Sequence, residues 1–121
     1  MQTTKGMLDK VLSDLKSIGD VEASAIVSRN GLLKASDVSS DIRAETLAAM
    51  SATMLGAAET ATSELKKGIP NRVIVEFKEA ELIAMGAGPQ AILVTMTNPG
   101  AGLGLILVRM EKASEKVKGL L

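Results

Sequence analysis

Two glycine-rich stretches and one acidic cluster are the places in this chain whose residue types and spacing could support chemistry. Gly86-Ala87-Gly88-Pro89-Gln90-Ala91 fits the loose pattern G-x-G-x-x-A. After a strand and at the start of a helix, that pattern lets backbone amides approach a pyrophosphate. Here AILVTM follows, a strand rather than a helix, and Pro89 removes one amide donor, so the segment reads as a tight hairpin turn. Gly100-Ala101-Gly102-Leu103-Gly104 opens a helical stretch, where free amides and the helix dipole converge on a possible anion. No Lys-Ser/Thr follows it, and the loop G-x-x-x-x-G-K-[ST] occurs nowhere in the chain. Inside a helix these glycines would cost roughly 1 kcal/mol each relative to Ala, so either the helix starts late or its first turns pack closely on a sheet, the latter being favoured. Glu76, Glu79 and Glu81 cluster at a hairpin tip, but no second acidic set converges on them, and they read as solvated turn residues. Arg29, Lys34 and Asp37 around the first hairpin read likewise as surface.

The residue inventory narrows the chemistry further. With Cys 0 and His 0, the chain lacks thiol nucleophiles, disulfides, Cys/His metal sites, imidazole bases and any Ser/His/Asp triad. The expectation is a protein that is not an enzyme, with no catalytic residue, no cofactor and no metal. Lys+Arg 14 against Asp+Glu 14 gives a net charge of +0, and the cations are dispersed, with Phe77 the one aromatic available for stacking. This argues against a nucleic-acid partner. The 121 residues fit a single domain over 1–121 with an aliphatic core. The first ten residues lack an apolar signal region. The uncharged run from Ala91 to Val108 is interrupted by Thr95, Thr97, Asn98, Pro99 and glycines, so no direct membrane insertion is expected and the default location is cytoplasmic.

Hydropathy periodicity supplies the elements that would position any site. Met7, Leu8, Val11, Leu12, Leu15 and Ile18 recur at helical spacing, and Gly19 is a plausible stop. Val21 to Arg29 alternates as a strand, and Asn30-Gly31 before LLKASDV predicts a hairpin with a type I′ turn. Asp41 is positioned to cap a long helix from about Ile42 to Lys67, with Lys66 and Lys67 in its last turn and Gly68 and Pro70 ending it. Between Glu45 and Glu59 that helix carries no charge. Leu47, Met50, Met54, Ala57, Ala61 and Leu65 form one stripe, and Ala, Ser, Thr and Gly56 fill the other sides. Such a helix reads as packed twice, once on its own sheet and once on something else. Arg72 to Lys78 and Glu81 to Met85 form a second hairpin joined by Glu79-Ala80, with Val73, Val75 and Phe77 on one side of the first strand and Ile74 and Glu76 on the other. Ala91 to Met96 is apolar without alternation, as a central strand covered on both faces would be. Asn98 could cap and Pro99 start a last helix reaching Leu120 or Leu121.

The expected fold is therefore α/β (α+β) in the order αββαβββα, a three-layer α/β/α domain around a five-stranded, mainly antiparallel sheet. The long helix lies on one face and the two terminal helices on the other. If Arg72 to Lys78 is a sheet edge, it and the long helix form one two-fold self-association surface.

This order resembles the Roadblock/LC7 family in its small prokaryotic stand-alone form, across nearly the full length. The likeness is carried by the αββαβββα sequence of elements, the hairpin Ser28-Arg29-Asn30-Gly31-Leu32, the Ala/Met-rich helix Ala44 to Leu65, and the Asn98 to Leu107 turn into the last helix. The resemblance implies a homodimer in which the long helices pack antiparallel and the third strands pair. Its interface would be Leu47, Met50, Met54, Ala57, Ala61 and Leu65 with Val73, Ile74, Val75, Glu76 and Phe77. It further implies a noncatalytic adaptor that binds and regulates or scaffolds a small Ras-like GTPase. Two alternatives stand beside it: a homodimeric assembly protein for a motor or membrane-associated complex without GTPase regulation, and a small-ligand or nucleotide sensor using the Gly100 to Gly104 stretch.

Overall fold

The computed structural model describes residues 2–121. The domain expected over 1–121 thus includes one residue, Met1, that lies outside the described residues. The elements run α1 (Thr4–Lys16), β1 (Val21–Ser28), β2 (Leu33–Asp37), α2 (Ala44–Glu64), β3 (Arg72–Phe77), β4 (Ala80–Gly86), β5 (Ala91–Thr97) and α3 (Leu103–Leu120), the order read from periodicity. α1 starts a turn earlier than its apolar stripe because Thr3 caps it, its hydroxyl accepting the Gly6 N–H at 3.0 Å.

The sheet order is β2-β1-β5-β4-β3, with every neighbouring pair antiparallel. β5 is the central strand, as its unbroken apolar run predicts. α1 and α3 cover one face, where Leu8, Leu12, Leu15, Ile106, Met110 and Val117 close over Ile26, Ile83 and Leu93. α2 covers the other, setting Ala48 and Leu55 on Ala25, Val27, Ala84, Ile92 and Val94. The three-layer arrangement follows from the alternation of each strand between two apolar faces.

The chain departs from expectation mainly at its turns and caps. In the first hairpin the Gly31 N–H donates to the Ser28 carbonyl at 2.9 Å. Gly31 has φ +90°, while Asn30 is not among the residues with positive φ. A type I′ turn needs positive φ at both, so the connection is instead a turn closed by a glycine, which shifts the β1/β2 register between Ile26 and Val27. Asp41 does not cap α2. The N-cap is Arg43, without a side-chain bond, and Asp41 accepts from the Ser39 hydroxyl, which holds its carboxyl below the usual carboxylate range. Lys66 and Lys67 fall beyond the last turn of α2, where Lys66 (φ 56°) and Gly68 (φ 99°) turn the chain left-handed. The β3/β4 turn is Lys78-Glu79, one residue earlier than expected, because Phe77 pairs with Ala80. α3 begins at Leu103 with Gly102 as N-cap rather than at Asn98-Pro99, since Gly100 at φ +76° interrupts the helical path.

Candidate self-association face on α2 and β3

α2 turns three kinds of surface in three directions. Its sheet-facing line is Ala48, Ser51 and Leu55, all buried. The stripe of larger residues lies beside that line, on the flank toward β3. There Leu47 and Met54 are half-buried against the α2-side core together with Val73, while Ala57 and Ala61 are exposed. Met50 is 60% and Leu65 69% exposed. On the opposite flank Ala49 and Ala52 approach Gly31 at the first hairpin. Ala48 and Ser51 thus let the helix lie close to its own sheet, with Leu55 buried on the same line, and the other large side chains are left to the side.

β3 is the last strand of the sheet, so its outer row of backbone groups has no strand partner among the described residues. Val73, Val75 and Phe77 stand on the α2 side, with Phe77 48% exposed, and Ile74 and Glu76 stand on the other, both exposed. Flank and strand meet in a shallow hollow of ≈ 380 Å³ whose lining includes Leu47, Met50, Phe77, Leu82 and Met96, with Arg43 at its end. Of the predicted interface residues, Leu47, Met50 and Phe77 line this one largely apolar hollow, whereas Ile74 and Glu76 lie on the opposite face of β3. Fully burying each large apolar side chain there would contribute about 1.5–3 kcal/mol.

One ion pair fixes α2 against the far end of the sheet. Arg29 Nη1 donates to both carboxylate oxygens of Glu59 at 2.9 Å, and its Nη2 donates to the Gly88 carbonyl at 3.0 Å. Both side chains are about two-thirds withdrawn from solvent. Arg29 is thus a structural pin rather than the surface residue expected, whereas Lys34 is exposed and Asp37 is paired with Lys16. Sequence spacing could not reveal the pin, because Arg29 and Glu59 lie thirty residues apart. Gly86 leaves room for the guanidinium, since a Cβ there would come within 2.9 Å of Arg29 Nη2.

Gly86 to Ala91 is the β4/β5 hairpin turn, closed by Ala87 N–H to Ala91 carbonyl at 2.9 Å. At Gly102 and Gly104 a Cβ would meet nothing within 4 Å, so the expected close packing does not explain them; Gly102 is the N-cap of the late-starting helix, and Gly104, inside its first turn, has no structural explanation. Glu76 and Glu81 face each other across β3 and β4, and Glu81 Oε2 is buried without a partner, in contrast to the solvated turn expected. Among the described residues no group of three or more acidic side chains is placed to hold a metal ion, and no helix is long and apolar enough to cross a membrane.

The family model of the Roadblock/LC7 domain matches residues 7–97. An uncharacterized protein of Methanocaldococcus jannaschii is 32% identical over 114 residues, covering 94% of this chain and 99% of that protein. Among solved structures, MglB of Myxococcus xanthus superposes with a TM-score of 0.89 at 20% identity, covering 100% of this chain and 95% of the other. A Roadblock/LC7 domain from Streptomyces avermitilis superposes with a TM-score of 0.85 at 20% identity, covering 92% and 94%.

Proposed function

The chain belongs to the Roadblock/LC7 domain family, and from that membership we propose that it is a single-domain, noncatalytic homodimeric adaptor which binds a small Ras-like GTPase and regulates or scaffolds it. The observation that carries the dimer is the apolar hollow lined by Leu47, Met50 and Phe77 beside an unpaired β3 edge, with Leu65 also exposed further along α2. Two copies related by a two-fold axis would pair β3 with β3, extending two five-stranded sheets into one, and would set the α2 flanks against each other. Leu47, Met54, Ala57, Ala61, Val73, Ile74, Val75 and Glu76 complete that interface. A self-complementary face of this kind buries the same residues on both copies, so each large side chain contributes twice.

The charge-free stretch of α2 between Glu45 and Glu59 supports the adaptor reading. Its outward residues are small, among them Ala49, Thr53 and Thr60. In the dimer two such helices would lie side by side and present a broad, low-relief platform to a globular partner. A chain with Cys 0 and His 0 contributes shape rather than nucleophiles to that partner's chemistry. No cofactor enters the proposal, and a cytoplasmic location goes with it.

The test has two stages. Light scattering over a range of concentrations is expected to give a species of twice the chain mass of 12.6 kDa; a persistent monomer overturns the dimer. Binding of small GTPases from the same cell, loaded with GDP or with a GTP analogue, is then expected to depend on the nucleotide. A stable dimer that binds no GTPase in either state leaves the assembly role and removes the regulatory one.

A further inference from the structure

The face opposite α2 carries a second surface, along the seam between α1 and α3. Two adjoining hollows of ≈ 240 and ≈ 280 Å³ share Val11, Asp14 and Lys116 and so form one groove. Its floor is apolar and recessed: Val11, Leu15 and Ala113 are buried, and Met7 and Leu120 are half-buried. Around it stand Lys10 from α1 and Arg109, Lys112 and Lys116 from α3, against one carboxylate, Asp14. All four cations are exposed, and none of them takes part in an ion pair among the described residues.

The charges of α3 are partly segregated: the row facing α1 is cationic, while Glu111, Glu115 and Lys118 lie elsewhere on the helix. Arg109, Lys112 and Lys116 lie three and four residues apart and share the row facing α1. Glu111 and Glu115 lie on the flank facing the start of β3, where Glu111 meets Arg72 at 3.3 Å. Like charges at these spacings are unfavourable in an isolated helix, and the one carboxylate of α3 spaced to offset the row is Glu115, three residues from Lys112. A single-sign row beside an apolar floor has the complementarity of a binding surface for an anionic, partly apolar ligand.

We propose that the α1/α3 groove binds an acidic segment of a partner protein, with carboxylates meeting Lys10, Arg109, Lys112 and Lys116 and an apolar side chain entering between Met7, Val11 and Leu120. The recessed floor favours a narrow peptide over a lipid surface, because Val11, Leu15 and Ala113 lie too deep to reach an acyl layer. The groove lies across the sheet from the α2 and β3 face, so it is accessible whether or not the chain dimerises there.

The probe is a peptide alternating Glu and Leu, titrated into ¹⁵N-labelled protein, with a Gln/Leu peptide and phosphatidylserine vesicles as comparisons. The Glu/Leu peptide is expected to move the amide signals of Val11, Lys112, Ala113 and Lys116 while leaving those of Ala49 to Thr60 in place. Reversing two exposed charges, Lys112→Glu with Lys116→Glu, is expected to keep the fold and weaken binding about tenfold or more. The neutral pair Lys112→Gln with Lys116→Gln should fall between, and added salt should weaken binding to the parent protein most. The proposal is overturned by absence of shifts along the seam, by equal binding of the Gln/Leu peptide, by unchanged affinity of the reversed variant, or by binding to vesicles alone.

Discussion

The two edges of the sheet are built on opposite principles. β2, at one end, has five residues, a register shift against β1, the exposed Lys34 near its start and an ion pair from Lys16 of α1 to Asp37 at 3.2 Å. α1 also packs on it through the cluster that contains Ala35. β3, at the other end, pairs with β4 in unbroken register from Arg72 to Phe77 and has neither a bulge nor a proline. Short, bulged, charged and covered edges resist strand addition, whereas regular apolar ones invite it. The contrast favours β3 as the side on which the proposed second copy would extend the sheet: addition at β3 continues a regular ladder, and addition at β2 meets a short strand with a shifted register.

The largest expected effect comes from Met54→Glu, which sets a carboxylate among half-buried side chains of both the α2-side core and the seam. A loss of about 3 kcal/mol or more is expected, read as dissociation or as a lower denaturation midpoint. A variant that stays fully dimeric and equally stable would take this flank out of the interface. Val75→Lys acts on the open edge alone, placing an ammonium on the shared face while the side chain can still reach solvent. It should raise the dimer dissociation constant about a hundredfold, or about 2.7 kcal/mol, with circular dichroism unchanged. Retained dimerisation would mean that β3 is not the seam.

At the blocked edge the expected effects fall on stability instead of assembly. Gly31→Val forces a β-branched residue to φ +90°, at a cost of about 1–3 kcal/mol in chemical denaturation without a change in solution mass. Unchanged stability would mean that the hairpin adopts another turn. The smallest effect is Lys16→Ala, which removes an exposed ion pair and should cost under about 1 kcal/mol. Strand-mediated oligomers forming in that variant would show that Lys16, rather than the packing of α1, guards β2.

Periodicity made most of this architecture legible. The alternation of β1, the apolar run of β5 and the stripe of α1 each answer to burial on a defined face, and burial is written locally in residue type. The stripe of α2 could be read as a stripe, but not as a flank. The helix seats itself through Ala48 and Ser51, whose size allows close approach, and sequence alone does not distinguish a small residue that packs from one that is merely exposed. Turn geometry was less legible for a related reason. Asn30-Gly31 fits more than one turn type, and the turn adopted, with positive φ at Gly31 alone of the two, goes with a shifted β1/β2 register that the residue types do not reveal. Asp41 had two possible uses, as a helix cap or as the acceptor of Ser39, and the chain path before α2 selects the second. Arg29 was invisible because its partners come from a distant helix and a distant turn.

The position of β5 has a consequence for how the molecule is made. It is the last strand in the chain and the first in centrality, pairing with β1 from Val21 to Ser28 and with β4 from Glu81 to Gly86. Until Ala91 to Thr97 leave the ribosome, the hairpins β1–β2 and β3–β4 have no common neighbour and α2 has only a divided surface to rest on. The sheet must therefore close late, through contacts far apart in sequence, which slows folding and exposes apolar strand faces in the interval. Shielding those faces during synthesis falls to whatever receives the nascent chain, and substitutions in β5 should lower the yield of folded protein more than their equilibrium cost implies.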